Sequence, residues 1–440
     1  MNSKPEVSIM WFRRDLRLDD NAALYHALRS GDEIVPIFIF DRNILDELED
    51  KKDRRVQFIY DALQAMQVAL KKQKSTLEVY YGTPEEIYNK LSSRYSIKTV
   101  FANEDFEQYA IDRDAAISQL LKNQNAGLKL YKDQVIFSKN EVAKKDGKLY
   151  SVFTPYSRLW LTKVNDFYLK SYPTEKYFKR FYQQEAIAIP TLASMGFEAS
   201  KEPFPAKEFD NTRIKDYSKT RDTPGIEGTS RLGVHLRFGT ISIRKLATFA
   251  KKNNAVFLKE LIWRDFYQMI LWQSDDVKKE KAFKPKFDNI KWRNNEAEFQ
   301  LWCEGKTGYP IVDAGMRQLN ATGYMHNRVR MITASFLSKH LLIDWRWGEA
   351  YFAKQLLDYD YANNNGGWQW SAGTGADPSP YFRVFNPEAQ QKKFDKNFVY
   401  IKQWVPEYQS PDYTPVVDHQ IARQRALQVY REAVRNSSQF

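Results

Sequence analysis

Five short apolar runs in the first third of the chain, VSIMWF, EIVPIFIF, LEVYYG, TVFANE and KLYKDQVIF, alternate with helical patterns, and this alternation constrains the fold more than any other feature. Between the second and third runs, RRVQFIYDALQAMQVALKKQ carries its apolar residues at helical spacing, which predicts an amphipathic helix. Strands joined through helices cannot pair through tight hairpins, so the pattern predicts a parallel sheet with helices on both faces. No G-x-G-x-x-G turn follows the first strand and no G-x-x-x-x-G-K-[ST] loop occurs. The sheet is therefore expected to be Rossmann-like without an ordinary dinucleotide or ATP site.

At 440 residues the chain exceeds one ordinary core, and its signals divide it. The α/β pattern covers 5–135. Over 136–205 the periodicity weakens and Pro, Tyr and Lys accumulate, as in TPYSRLWLTKVNDFYLKSYPTEKYFKRF, which predicts a long connection with a little helix. Over 206–440 helical spacing dominates, as in AVFLKELIWRDFYQMILWQ, and an all-helical domain is expected. The basic, Ser-rich end REAVRNSSQF is expected to fray. One stretch resists assignment: YANNNGGWQW, residues 361 to 370, is poor helix material and suggests a turn with buried rings.

Composition narrows the function. No apolar run is long enough to span a bilayer, the start lacks the apolar segment of a secretion signal, and the single Cys303 excludes an intramolecular disulfide framework and a multi-cysteine metal site. These features favour the cytoplasm, and no metal site is expected. The net charge of +12 favours a polyanionic partner, with a solvated basic surface as the plain alternative. Eleven tryptophans exceed what packing usually asks for.

Three stretches have chemistry-bearing spacing. In EGTSRLGVHLRFGTIS, Gly, Thr and Ser precede a helical pattern, an N-cap signature that either only caps or holds an anion on free N–H groups and hydroxyls. In LKELIWRDFYQ, Glu260 and Trp263 share a helix face, an acid beside a flat ring; the plain alternative is a surface Glu paired with Lys or Arg. In MHNRVRMITASF, Asn327 and Met331 share a face, while Arg328 and Arg330 point to different sides.

Together with WFRRDLRLDDNAAL, GTSRL, ELIWRDFY, EGKTGYPIVDAGMRQLNATGYMHNRVRMITASFL, LLIDWRWGEAYF, NNNGGWQW and PYFRVFNP, in that order and spacing, these stretches resemble the photolyase and cryptochrome family, and specifically bacterial class I cyclobutane pyrimidine dimer photolyases. The resemblance covers nearly the whole chain and is dense over 217–395. It implies an N-terminal antenna domain, a helical domain holding reduced FAD, and an enzyme that uses blue or near-ultraviolet light to pass an electron to a pyrimidine dimer in DNA, splitting its ring before the electron returns. By the same resemblance Tyr217, Thr229, Ser230, Arg231, Leu232 and Phe257 would hold the cofactor. Arg330 and Asp358 would pair over the flavin, and Asp360 would meet its ring edge. Gly233 replaces the Ser of many relatives, leaving a backbone N–H without the hydroxyl.

Within the quoted stretch, Asn364 would face flavin N5 as a neutral acceptor, and the two glycines would let the backbone turn close to the cofactor. Trp368 would begin an electron relay through Trp345 to Trp292 at the surface. Trp370 and Trp263 would sandwich a flipped-out dimer, an extrusion step for which photolyases are themselves a standing example. Glu260 would bond the pyrimidine edge, and Asn327 and Met331 would complete the pocket. Six-four photoproduct enzymes carry histidines at these last two positions, and this chain does not. Arg221, Arg328 and Arg383 would grip phosphates beside the lesion in damaged duplex DNA.

An antenna chromophore, methenyltetrahydrofolate, a deazaflavin or a second flavin such as FMN, is a further implication. Folate binders carry Asn-Glu where Tyr109 and Ala110 stand, which weakens the folate assignment, and Lys279 matches a family antenna contact. The resemblance further implies a monomer with no membrane partner. The rival reading is a blue-light photoreceptor of the cryptochrome type without repair activity, typically with an altered pocket or a long C-terminal extension. A plain flavin oxidoreductase would need a nicotinamide site, and none is recognisable.

Overall fold

The fold was taken from a computed structural model, which describes residues 4–209 and 211–436. Among the described residues there is one sheet, of five parallel strands, β1 (Glu6–Phe12), β2 (Ile34–Asp41), β3 (Glu78–Gly82), β4 (Ser96–Asn103) and β5 (Gly127–Tyr131), in the order β3-β2-β1-β4-β5. β2 is buried along its whole length, as a central parallel strand covered on both faces should be. It tolerates Pro36, which has no N–H to donate, because pairing with β3 begins only at Ile37 opposite Glu78. The predicted amphipathic helix is Arg54–Lys71, which buries Val56, Phe58, Leu63, Met66 and Leu70.

Internal contacts separate two units. The first runs to Ile136 and includes Val164–Glu208 and Arg231–Phe249; the second comprises Phe137–Lys163, Phe209–Ser230 and the chain from Ala250 onward. The stretch expected as a single connection thus divides. Its later part joins the sheet unit: the Tyr182 N–H donates to Ile34 O at 2.9 Å, beside an isolated bridge between Ile34 and Phe181. Its earlier part carries the Phe153–Lys163 helix and packs in the second unit, where Trp160 Nε1 donates to Asp265 at 2.9 Å.

The last expected strand, read as KLYKDQVIF, ends at Tyr131 instead of Phe137. The chain leaves the sheet because Asp133 is drawn into a buried ion network, accepting from Arg17 at 2.7 Å and from Arg244 at 2.7 Å while Arg244 also bonds Asp20 at 2.8 Å. These four side chains are 5% exposed or less. Breaking such a set by removing one partner leaves an uncompensated buried charge and costs about 3–5 kcal/mol. The same network anchors Arg231–Phe249 to the sheet unit.

The N-cap expected at Thr229 and Ser230 is not formed by their side chains. The helix is short, Gly233–Arg237, with Leu232 at its cap position and no side-chain cap bond. Arg231 adopts φ 52°, a left-handed turn that interrupts the helical path before it can begin at the hydroxyls.

Among the described residues, every regular element of the second unit is a helix, joined by loops and one isolated bridge between Ala143 and Leu149. Its core includes Trp302, Met316, Phe336, Leu337, Trp345, Phe352 and Trp368. The final helix, His419–Asn436, takes in the first part of REAVRNSSQF, which was expected to fray. It is held because Ala422, Ala426, Tyr430 and Ala433 are buried and the Tyr430 hydroxyl donates to Ala372 O at 2.7 Å. Residues 437–440 lie outside the described residues. Among the described residues, no helix is long and apolar enough to cross a membrane, and no cluster of His, Cys, Asp and Glu could hold a metal.

Candidate cofactor and substrate site

The stretch YANNNGGWQW is a helix, Tyr361–Ala372, and not a turn. Tertiary contacts override its poor propensity. Asp360 caps it by accepting the Asn363 N–H at 3.2 Å, Gln369 Nε2 donates to Asn365 at 2.8 Å along its flank, and Gly373 in the left-handed region closes it. The glycines do not bend the backbone. A Cβ on Gly366 would lie 2.3 Å from the Tyr267 ring, so glycine there lets this helix approach Ala255–Gln273 closely, whereas Gly367 faces open space. Two glycines cost roughly 2 kcal/mol of helix propensity relative to alanine, and the close packing offsets it.

This geometry orients Asn364. Its Nδ2 donates to Glu349 Oε1 at 2.9 Å and to Glu349 O at 3.2 Å, which assigns the amide and leaves Oδ1 as a free acceptor. Nearby in sequence, Asp358 accepts from Arg330 Nη2 at 3.0 and 3.1 Å, and the buried Asp360 accepts from Gln268 Nε2 at 3.0 and 3.2 Å. A neutral acceptor, a paired cation and a fixed carboxylate match the donors and acceptors along a flavin ring edge, so these residues fit FAD. Tyr217 is buried edge-on against Phe257 with centroids 5.1 Å apart, and the Thr229 and Tyr324 hydroxyls bond at 2.8 Å. Ser230 follows, half-buried. Arg231, Leu232 and Gly233 belong to the sheet unit described above.

Trp368 and Trp345 are 2% and 1% exposed within one apolar cluster, and the half-buried Trp292 packs at its edge. The three rings therefore run from core to periphery. The Trp368 Nε1–H has no hydrogen-bond partner. Gly348 makes room for this ring: a Cβ there would sit 2.1 Å from Trp368 Cη2.

A cavity of about 280 Å³ is lined by Asp222, Arg328, Met331, Trp370, Arg383 and Phe385, among others. Four of the sequence-predicted substrate residues thus line one pocket, together with the Asp222 carboxylate and the Phe385 and Phe394 rings. Asn327 is exposed at the start of the helix that carries Arg328 and Met331. Glu260 and Trp263 do not line this cavity. Glu260 pairs with Arg221 at 2.6 Å, the plain pairing that its sequence context allowed, and Trp263 stacks on Phe153. Burial pushes the Glu260 carboxyl above its usual range, with Arg221 opposing.

Arg221 and Arg328 are each held by an acid. Arg328 donates to Asp222 at 2.7 and 3.1 Å and lies 4.4 Å over the Phe394 ring, while Arg383 is exposed with its backbone O accepting from Lys339 at 3.0 Å. His326, buried beside them, accepts the Arg328 N–H on Nδ1 at 3.1 Å. Its pKa is pulled down to about 4, chiefly by burial, with Asp222 opposing and the neighbouring arginines assisting.

Sequence reasoning missed Glu349, Gln268, Asp222 and Phe153. Of these, only Asp222 carried a signal, standing beside Arg221 in RD. In the sheet unit, Tyr109 stands near the start of the Gln108–Lys122 helix with its hydroxyl bonded to Asp41, and Ala110 is buried. Lys279 ends the short Asp275–Lys278 helix of the other unit.

Two family descriptions match: DNA photolyase over residues 8–176, and the FAD binding domain of DNA photolyase over 257–414. The chain is 38% identical to a deoxyribodipyrimidine photo-lyase of Vibrio cholerae, covering 97% of this chain and 100% of that one. Among solved structures, a bacterial class III photolyase from Agrobacterium tumefaciens superposes with TM-score 0.85 at 32% identity, covering 98% of each chain. An archaeal photolyase from Sulfolobus tokodaii, solved with two FAD molecules, superposes with TM-score 0.80 at 33% identity, over 97% of this chain and 99% of that one.

Proposed function

This chain belongs to the DNA photolyase family, and from that premise we propose that it splits cyclobutane pyrimidine dimers in duplex DNA with light absorbed by bound FAD. When bound in its reduced form, FAD supplies a photoexcited electron that opens the cyclobutane ring and is recovered afterwards. The chain's own residues bind, orient and exclude water. Asn364, its amide held by Glu349, would offer Oδ1 to the flavin ring as an uncharged acceptor. Arg330 with Asp358 and Asp360 with Gln268 hold a charged and a polar edge in place. Tyr217, Phe257, Thr229 and Ser230 would hold the rest of the cofactor. Trp368, Trp345 and Trp292 serve its reduction.

The observation that carries the substrate reading is the pocket where Trp370 and Met331 meet Arg328 and Arg383. A cavity lined by Trp370, Met331, Phe385 and Phe394 beside Arg328, Arg383 and Lys393 suits a stacked pyrimidine pair with its phosphates near the cations. A stacked base contributes roughly 1–3 kcal/mol, and the phosphate contacts add affinity without reading sequence. Glu260, held by Arg221 at 2.6 Å, can offer its carboxylate as an acceptor to the imide N–H on the pyrimidine edge. Trp263 and Asn327 complete the set.

The test is equilibrium binding by FAD-loaded protein of a duplex with one dimer against the same duplex undamaged. Preference for the dimer, weakened by Trp370→Ala, is expected; equal affinity for both duplexes would refute the pocket assignment. The same reading has the protein acting as a monomer in the cytosol, which sedimentation alone and with oligonucleotide tests.

A further inference from the structure

We propose that Phe153, in a stretch that looks like connecting chain, is a positioning residue for the dimer pocket: it fixes the plane of Trp263 and ties it to the loop bearing Arg383. The proposal rests on the reading of Trp263 as a ring that stacks on the lesion.

Phe153 opens the Phe153–Lys163 helix, where the first N–H groups have no intrahelical acceptor. Its N–H donates to Asp377 Oδ2 at 3.1 Å, and the Asp377 N–H donates back to Ser151 O at 2.9 Å. This reciprocal clamp joins the helix start to the loop that follows Trp370. Asp377 has φ 43°, a left-handed conformation that a non-glycine residue keeps only where its surroundings fix it. Farther along, the Ser379 N–H donates to Trp370 O at 3.1 Å, and the Arg383 N–H donates to Pro380 O at 2.8 Å. The clamp thus reaches both the end of the Trp370 helix and the segment that brings Arg383 and Phe385 to the pocket.

The side chain continues the link. Its ring lies 3.6 Å from Trp263, centroid to centroid and 6° from parallel, and is itself buried. Aromatic pairs left to themselves favour offset or edge-on contacts, so this stack is imposed by packing. Phe266 supplies that packing, standing edge-on to Phe153 at 5.8 Å and to Trp263 at 5.6 Å, with Tyr267 tilted at 5.4 Å. One face of Trp263 is therefore covered by Phe153 and closed to a base. A ring already held in its stacking plane loses little freedom when the lesion arrives, which is the benefit of preorganisation. Leucine in place of Phe153 would fill most of the space and let the indole tilt.

The experiment titrates FAD-loaded protein, by fluorescence anisotropy, with a duplex carrying one thymine dimer and with its undamaged counterpart. Phe153→Leu, Phe153→Tyr and Trp263→Ala are compared with the parent, and FAD absorbance and melting temperature are recorded for each. Phe153→Leu is expected to lose between about twofold and tenfold in dimer affinity, the range of an aromatic pair, with undamaged-DNA affinity unchanged and Phe153→Tyr restoring the parent value. Unchanged dimer affinity in Phe153→Leu, while Trp263→Ala weakens it, would overturn the proposal and leave the reading of Trp263 standing. A parallel loss for both duplexes would also overturn it, as a general structural effect. No effect of Trp263→Ala would overturn the reading and the proposal together.

Discussion

Replacing Trp368 with Phe separates a redox role from a packing role. The ring is 2% exposed, meets Phe352 edge-on at 5.0 Å and Trp302 at 6.0 Å, and has its outer edge against Gly348 with no spare room. Phe keeps an aromatic ring but vacates the volume beside Gly348 and Leu337, equivalent to two or three methylenes, or about 2 kcal/mol. The change also removes a buried N–H that has no partner, which recovers about 1 kcal/mol. The net cost is about 1 kcal/mol, which for a domain of this size lowers the melting temperature by about 2–4 °C. The functional change is much larger, because a phenyl ring is far harder to oxidise than an indole. Blue illumination of oxidised, FAD-loaded variant with an external reductant should leave the oxidised flavin absorption in place, whereas the parent bleaches. Dimer repair should be retained when the flavin is reduced chemically beforehand. Normal bleaching together with the small melting shift would refute the relay and leave Trp368 as a wall of the core.

Further outcomes follow from the same geometry. Asn364→Asp sets a second carboxylate against Glu349, where the amide now donates at 2.9 Å, so FAD retention and stability should fall at neutral pH and recover in part as acid protonates one of the two; FAD release against pH measures it. Arg328→Ala should weaken binding to every dimer context alike and lower the slope of log affinity against log salt by about 0.9; a context-dependent loss would mean that Arg328 reads bases. His326 titrates near 4 when folded against an ordinary 6.5, so the unfolded chain binds more protons between those values. Its contribution is present in full above about pH 6.5 and is lost as pH falls toward 4. Melting temperature against pH should show this acid-side slope flattened in His326→Gln, and an unchanged slope would exclude His326 as its source.

The sheet was legible because parallel strands buried on both faces read as continuous apolar runs, as in IVPIFIFD, and helical spacing marked the second unit. The helix at Tyr361–Ala372 was not, because its stability comes from Asp360, Tyr267 and Gly373 and not from its own propensities. The division of the stretch between 136 and 205 was hidden for the same reason. Trp160 finds Asp265 and Tyr182 finds Ile34 across more than a hundred positions, a separation that no local pattern records. At the site, the Arg330 and Asp358 pair and the shared pocket of Met331, Trp370, Arg328 and Arg383 were implied by the family resemblance and not by the spacing alone. Their supports were not implied. Glu349 orienting Asn364, Gln268 bonding Asp360 and Phe153 sealing one face of Trp263 are all contacts between separate helices, carried by residue types that are common in any helix.

The central claim is tested most directly by following a duplex with a single thymine dimer, incubated with protein carrying chemically reduced FAD, in parallel samples kept dark and exposed to blue light. Repair depends on light in this account, so the dimer should disappear only in the illuminated sample, in multiple turnovers and without strand cleavage. Glu260→Ala should lower the yield per absorbed photon while largely sparing affinity. Loss of the dimer in the dark, or its persistence in the light with reduced FAD bound, would contradict the account.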